Sequence, residues 1–165
     1  METITAVQQA VYDDHLILHH AKRVLHTEAA SIQAVAERLG DNFSIIVRTI
    51  YHCDGHIFVT GLGKSGLIGK KIAATFSSVG VPSVFLHAGD ALHGDLGQIT
   101  RRDILIAVSH SGSSEEILRL IQQIKPLGVP VIAITAQTDS QLASSADHTL
   151  SYGHIAEACP LGLAP

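Results

Sequence analysis

In the opening segment, apolar residues recur mostly in steps of three or four: Ile4, Val7, Val11, Ile17, Ala21, Val24, Ile32, Val35 and Leu39, with one wider gap. That period lays them along one stripe of a long helix. Gly40 is a natural stop, and Asp41 or Asn42 can cap a second helix over 43–53. Its apolar residues Ile45, Ile46, Val47 and Ile50 require burial of one side. After Gly55 the pattern changes to short β-rich runs bounded by glycine, proline and polar clusters. Strands are predicted over 56–60, 84–86, 104–108, 131–134 and 148–150, with helices over 65–79, 114–125 and 141–146 between them. The run Ile104-Leu105-Ile106-Ala107-Val108 is apolar throughout, as a parallel strand covered on both faces must be. Pro126 and Gly128 end the helix before the fourth strand.

Strands alternating with helices mean βαβ units. The expected fold is an α/β three-layer sandwich around a five-stranded, mainly parallel sheet. Residues 1–54 form N-terminal helices and 55–165 the α/β core of one domain. No internal repeat or low-complexity linker interrupts the pattern.

Composition narrows the function classes. The chain has 165 residues, 46% apolar and 16% charged, a balance that supports a packed core without staples. A net charge of -4 gives no electrostatic footprint for nucleic acid, and the pairs Lys22-Arg23 and Lys70-Lys71 read as solvated helix faces. Cys53 and Cys159 form no CxxC pair, and two free thiols suit a reducing compartment. The start Met1-Glu2-Thr3 lacks the basic and apolar regions of a signal peptide, so the cytoplasm is expected. Among eleven histidines, His15 and His19 are spaced to chelate a metal, yet no carboxylate or thiol completes that set.

Two loops carry the chemistry. In an open α/β sheet, ligands bind beyond the carboxyl ends of the strands. The first loop is Gly61-Leu62-Gly63-Lys64-Ser65-Gly66. Its glycines let backbone N–H groups approach an anion, the following helix start attracts negative charge, and Lys64 adds a full positive charge. The spacing matches the GxGxxG dinucleotide fingerprint, but the acidic residue expected after the second strand is replaced by His87. A Walker loop is excluded because Phe58 stands where its first glycine belongs. A tight turn without ligand is the alternative. The second loop is Ser109-His110-Ser111-Gly112-Ser113-Ser114-Glu115-Glu116. Four hydroxyls beside a helix start make a neutral phosphate cradle. Simple N-capping would account for one serine and leave three unexplained. Together the loops point to a small phosphorylated ligand, held between them or shared with a neighbouring subunit.

Both loops, with His87-Ala88-Gly89-Asp90-Ala91-Leu92-His93-Gly94-Asp95-Leu96-Gly97 between them and Glu157-Ala158-Cys159-Pro160-Leu161-Gly162-Leu163-Ala164-Pro165 after them, occur in an order that resembles the sugar isomerase (SIS) domain of bacterial arabinose-5-phosphate isomerases. The resemblance covers essentially the whole chain. It implies interconversion of arabinose 5-phosphate and ribulose 5-phosphate through an enediol, feeding lipopolysaccharide or capsule sugar (Kdo) synthesis. Such a reaction needs a base, a proton donor and charge stabilisation. By similarity Lys64, Glu116 and Glu157 are catalytic, with Glu157 as the proton-shuttling base, Lys64 stabilising the oxyanion and Glu116 orienting Lys64 or a hydroxyl. Gly63, Ser65, Ser109, Ser111 and Ser114 would bind the phosphate. His87 and His93 would line the sugar pocket, with His87 a site for an inhibitory zinc ion. No cofactor is required.

The resemblance also sets expectations about extent and assembly. A typical member continues past Leu-Ala-Pro into a Thr/Ser-rich turn, a further helix and a catalytic histidine, and many carry a pair of CBS modules; the sequence here stops at Pro165. A homo-oligomer, dimer or dimer of dimers, is expected because the N-terminal helices are more apolar than one small sheet can cover. Two other readings compete. A sugar-phosphate sensor needs the serine loop but not Lys64, Glu116 and Glu157, and no DNA-binding module is present. A nucleotide-dependent redox module fails at His87.

Overall fold

A computed structural model describes residues 13–159 of the chain. Two compact units are distinguished: one comprises residues up to Arg38 and those from Ile155 on, the other Leu39–His154.

The first unit contains helix α1 (Asp14–Arg38). Asp13 caps it, its carboxylate accepting the N–H groups of His15 at 2.9 Å and Leu16 at 3.4 Å. This satisfies two of the donors that a helix start leaves unpaired. Ile4, Val7 and Val11, expected on the same helical stripe, lie outside the described residues, as does the ending Pro160–Pro165.

The second unit is an α/β sandwich. Its elements are α2 (Asp41–Tyr51), β1 (Ile57–Gly61), α3 (Gly63–Ser78), β2 (Ser83–Phe85), α4 (Ala88–Leu92), β3 (Ile104–Val108), α5 (Glu115–Ile124), β4 (Val131–Thr135), α6 (Gln141–Ser145) and β5 (His148–Ser151). The five strands form one sheet in the order β2-β1-β3-β4-β5, with every pair parallel. Strand alternation divides the core in two. Ile57, Val59, Ile104, Ile106, Val108 and Ile132 face α2 and α3, meeting Ile46 and Ala73. Phe58, Leu105, Ala107, Val131 and Ala133 face the other way, against Ala88, Ala91, Ile117, Leu120, Ile121, Ile124 and Leu142. The three central strands are covered on both faces, which is why β1 and β3 are buried along their whole length.

Element boundaries differ from the sequence expectations by a few residues, with local causes. Asp41 is the first residue of α2 and Gly40 precedes it without any side-chain cap. Asn42 is used for tertiary structure instead, its amide donating to the Thr149 carbonyl at 2.5 Å. The helix α5 ends at Ile124, and Lys125–Leu127 tightens into a 3-10 turn closed by Gly128 at φ 72°. Two short pieces went unforeseen: α4 and a 3-10 turn over Asp95–Gln98. Five residues with one glycine are too few to show a helical period. Only the spacing of buried Ala88 and Ala91 marks it.

Carboxylates tie the amino ends of the strands. Asp103, just before β3, accepts the N–H groups of His56 at 2.7 Å and Thr100 at 2.6 Å, and the Thr100 hydroxyl at 2.9 Å. Asp147, just before β5, accepts the N–H of Val131 at 2.7 Å. The carboxyl ends of the sheet are tied by hydroxyls and histidine.

Candidate functional site

The strand order fixes where a ligand can enter. From β1 the chain crosses to β2 on one side and then returns to β3 on the other. The loops leaving β1 and β3 therefore diverge, and the crevice between them is the topological switch point at which open α/β sheets bind ligands. Both phosphate-type loops sit there, on adjacent strands paired from Ile57 with Ile104 to Gly61 with Val108.

The glycines of the first loop do two different jobs. Gly61 and Gly66 close the strand onto the helix. A Cβ on Gly61 would lie 2.8 Å from the Ser65 backbone, and one on Gly66 would lie 2.7 Å from the Gly61 carbonyl. Gly63 is different: its φ is +53°, and a Cβ there would meet nothing within 4 Å. It opens α3 with its backbone bare toward open space, the arrangement an approaching anion needs. Lys64 and Ser65 follow in the first turn of α3, Lys64 exposed and Ser65 half-buried.

The serine loop is organised by its own hydroxyls. Ser109 is buried at the end of β3. Its Oγ accepts the Gly112 N–H at 3.1 Å and lies 3.1 Å from Ser114 Oγ. Ser114 stands at the N-cap position of α5 yet makes no side-chain cap. Its hydroxyl reaches back across the loop, so the start of α5 is without a serine cap. Ser111 is exposed, accepting the Ser113 hydroxyl at 2.9 Å and the Ser113 N–H at 3.3 Å. Gly112, at φ +63°, packs against the side chains of Ser140 and Thr135, and its carbonyl accepts the Leu142 N–H at 2.9 Å. A side chain at Gly112 has neither a favourable φ nor room.

The remaining candidates are distributed around these loops. Glu116 is exposed in the first turn of α5, beside Glu115, which pairs with Arg119. Lys64 and Glu116 thus stand on the helix starts that follow two neighbouring strands. His87 precedes α4 at the carboxyl end of β2, with Nδ1 3.9 Å from Asp90 Oδ1. His93 ends α4, exposed. Glu157 belongs to the other unit, in a stretch without helix or strand. A zinc ion takes four ligands in a closed site. His87 and Asp90 supply two, and no group of three or more His, Cys, Asp or Glu gathers among the described residues. A metal held by these residues alone therefore does not fit.

Sequence reasoning missed a second set of residues at this end of the sheet. His110 Nδ1 lies 2.8 Å from the hydroxyl of Tyr152, the residue just after β5. Burial pushes the Tyr152 hydroxyl above its usual pKa, further from the neutral range in which any tyrosine is already protonated. The His110 carbonyl accepts the Ala136 N–H and the Thr135 hydroxyl, both at 3.2 Å. Each partner is remote in sequence, and only the sheet order brings them together.

An open, parallel sheet with two anion-type loops at its switch point defines an α/β domain suited to a phosphorylated ligand. The chain belongs to the SIS domain family, whose profile matches residues 49–158. Arabinose 5-phosphate isomerase KdsD of Escherichia coli K12 is 46% identical over 144 residues, covering 87% of this chain and 44% of that protein. The enzyme of the same name from Pseudomonas aeruginosa is 43% identical over 148 residues, covering 90% of this chain and 45% of its own length. The chain thus spans less than half the length of these curated relatives. Among solved structures, a protein of E. coli CFT073 in complex with arabinose 5-phosphate superposes with a TM-score of 0.88 at 36% identity, over 93% of this chain and 81% of that one.

Proposed function

We propose that this chain is the isomerase domain of an arabinose-5-phosphate isomerase, interconverting D-arabinose 5-phosphate and D-ribulose 5-phosphate. The observation that carries the reading is the pairing of a glycine-lysine loop and a serine loop at one switch point, in a chain similar to enzymes of that name. The phosphate would rest on Ser109, Ser111 and Ser114, with Gly63 and Ser65 from the facing loop. Its negative charge suits two helix starts.

The chemistry moves one proton between adjacent carbons. A base takes the C2 proton of the aldose, and the electron pair forms the C1–C2 double bond of an enediol. Returning the proton to C1, with proton transfer between the two oxygens, yields the ketose. Lys64 stabilises the negative charge that develops on oxygen. Glu116 orients Lys64 or a sugar hydroxyl, and His87 and His93 line the sugar. Glu157 is the base, a role assigned from its place in the Glu-Ala-Cys-Pro motif rather than from a distance. Inhibition by zinc through His87 would draw its remaining ligands from outside the residues described.

The reading extends to the setting. The product would feed the Kdo sugar of lipopolysaccharide or capsule, in the cytoplasm. No helix among the described residues is long and apolar enough to cross a membrane. A homo-oligomer is part of the proposal: Phe43, Ile45 and Val47 on α2, and Leu67 and Ile68 on α3, are exposed on helices covering the same face of the sheet. Light scattering at micromolar concentration checks it, and a monomer would oppose it.

The deciding experiment is an assay of ribulose 5-phosphate formed from arabinose 5-phosphate, using the chain as given and a version extended at its C-terminus. Conversion by either supports the reading. Absence of both conversion and sugar-phosphate binding overturns it.

A further inference from the structure

Besides the Gly112 carbonyl, which holds the Leu142 N–H, the serine loop is anchored at three further points, two of which the hydroxyl cradle does not explain. Ser109 joins it to β3, and the His110 carbonyl joins it to β4 through Ala136 and Thr135. The third anchor is the His110 side chain, which spans to Tyr152 beyond β5 at 2.8 Å, with ring centroids 5.9 Å apart. Tyr152 is itself fixed, its N–H donating to the Thr135 carbonyl at 3.2 Å. The neighbouring Ser151 hydroxyl donates to the Ala136 carbonyl at 3.2 Å. Residues 135, 136, 110 and 152 thus form one hydrogen-bonded lattice across the carboxyl ends of β3, β4 and β5. His110 lies between Ser109 and Ser111, so whatever holds it holds the cradle.

An exposed histidine is an unusual anchor, because a side chain in water gains little from one neutral hydrogen bond. Here the partner is half-buried and remains a neutral phenol. Its hydroxyl can donate to a bare Nδ1 or accept from a protonated one, so the contact holds in either tautomer of the imidazole. We propose that the His110–Tyr152 pair is a positioning strut that fixes the serine loop in its phosphate-accepting geometry, and so sets affinity for the sugar phosphate. The inference rests on the isomerase reading above. It adds two residues that touch neither the reacting carbons nor the proton they exchange.

The strut makes a distinctive kinetic prediction. A loop that must be ordered by the ligand lowers apparent affinity by the fraction of molecules already in place. Loss of the strut therefore raises KM and leaves kcat nearly unchanged. A substitution that merely destabilised the fold would reduce the active fraction, lowering apparent kcat at constant KM.

The test uses Tyr152→Phe, which keeps the ring and removes only the hydroxyl, alongside His110→Ala and the double variant. These are made in the protein form that shows activity. KM and kcat for arabinose 5-phosphate, and affinity for inorganic phosphate by calorimetry, are the readouts. Tyr152→Phe is expected to raise KM and weaken phosphate binding by about five- to tenfold, the worth of one net hydrogen bond, with kcat within about twofold. The losses in the double variant should be less than additive, because the interaction the two residues share is lost only once. If the parent protein turns over substrate and Tyr152→Phe matches it in KM and phosphate affinity, the strut is wrong and the isomerase reading stands. Additive losses in the double variant also overturn it. If the parent neither binds nor converts the sugar phosphate, the isomerase reading fails and takes the strut with it.

Discussion

Ser114, the residue before helix α5, places its hydroxyl 3.1 Å from Ser109 Oγ and so braces the loop instead of capping its own helix. The two serines flanking the cradle are structural as well as polar, whereas Ser111 sits between them exposed. Substitutions should separate these roles. Ser111→Ala is expected to weaken sugar-phosphate affinity by about tenfold with little change in melting temperature, the effect of one hydrogen bond to a charged group. Ser109→Ala should lower both affinity and stability, the latter by about 1–2 kcal/mol, because the buried Gly112 N–H loses its acceptor. Calorimetry and thermal melts of the two variants check this. Equal stability loss at both positions would remove the distinction.

The opposite end of the sheet carries the pH dependence. Burial of Asp103 raises its pKa, but the N–H groups of His56 and Thr100, the Thr100 hydroxyl and the nearby His56 ring outweigh this and hold it below the ordinary carboxylate value. A depressed pKa means that the folded state prefers the ionised form. The corresponding stability is present above the unfolded-state pKa, near 3.8, and is lost as pH falls through the lower folded value. Asp103→Asn is therefore expected to cost about 2 kcal/mol at pH 7, given three hydrogen bonds to a charged acceptor. Its deficit relative to the parent should shrink below pH 4. Urea unfolding at pH 7, 5 and 3 tests the trend. A deficit independent of pH would show that packing, not charge, is what Asp103 contributes.

The fold was legible where the local pattern and the tertiary need agree. The all-apolar run 104–108 is a fully buried central strand, and the short β-rich runs around it became its neighbours. The loops were legible for the same reason: each follows its strand directly, so glycines 61, 63 and 66 and serines 109–114 had a predictable place at the carboxyl end. What escaped needed knowledge of non-local geometry. Asn42 looks like a cap and instead reaches Thr149. Ser114 looks like a cap and bonds Ser109. His110 gave no sign of Tyr152, because their proximity depends on β4 and β5 being laid side by side. The role proposed for Glu157 rests on the resemblance alone. No period or spacing in residues 152–159 marks a base.

Thr60 offers a test of the core. Its hydroxyl is fully buried in β1 and is the one such side-chain atom among the described residues with no hydrogen-bond partner. Leaving a buried donor unpaired costs about 1–3 kcal/mol, and an apolar group of the same shape removes that cost. Thr60→Val is expected to keep the fold and raise stability by up to about 1 kcal/mol, or about 2–4 °C in Tm. A loss of more than about 1 kcal/mol in a thermal melt would mean that the hydroxyl has a partner, such as a buried water, that Val cannot replace.

The two carboxylates proposed for catalysis are distinguished by what glutamine can still do. Glu116 and Glu157 are both candidates for moving the proton, but they stand in different local settings. Glu116 is in the first turn of α5, held on a regular helix start. It suits an orienting group, and an amide retains an oxygen acceptor for that task. Glu157 lies outside any helix or strand, two residues before the Cys159-Pro160 bond, where proline restricts the backbone that precedes it. Glu157→Gln should therefore lower kcat by about two to four orders of magnitude, the usual worth of a general base, while sugar-phosphate affinity stays within about twofold. Glu116→Gln should lower kcat less, since its hydrogen bonding survives. Steady-state kinetics with arabinose 5-phosphate, together with binding measured separately, decide between them. Near-full turnover in Glu157→Gln beside an inactive Glu116→Gln would reverse the two roles: the proton would then move through the carboxylate at the start of α5.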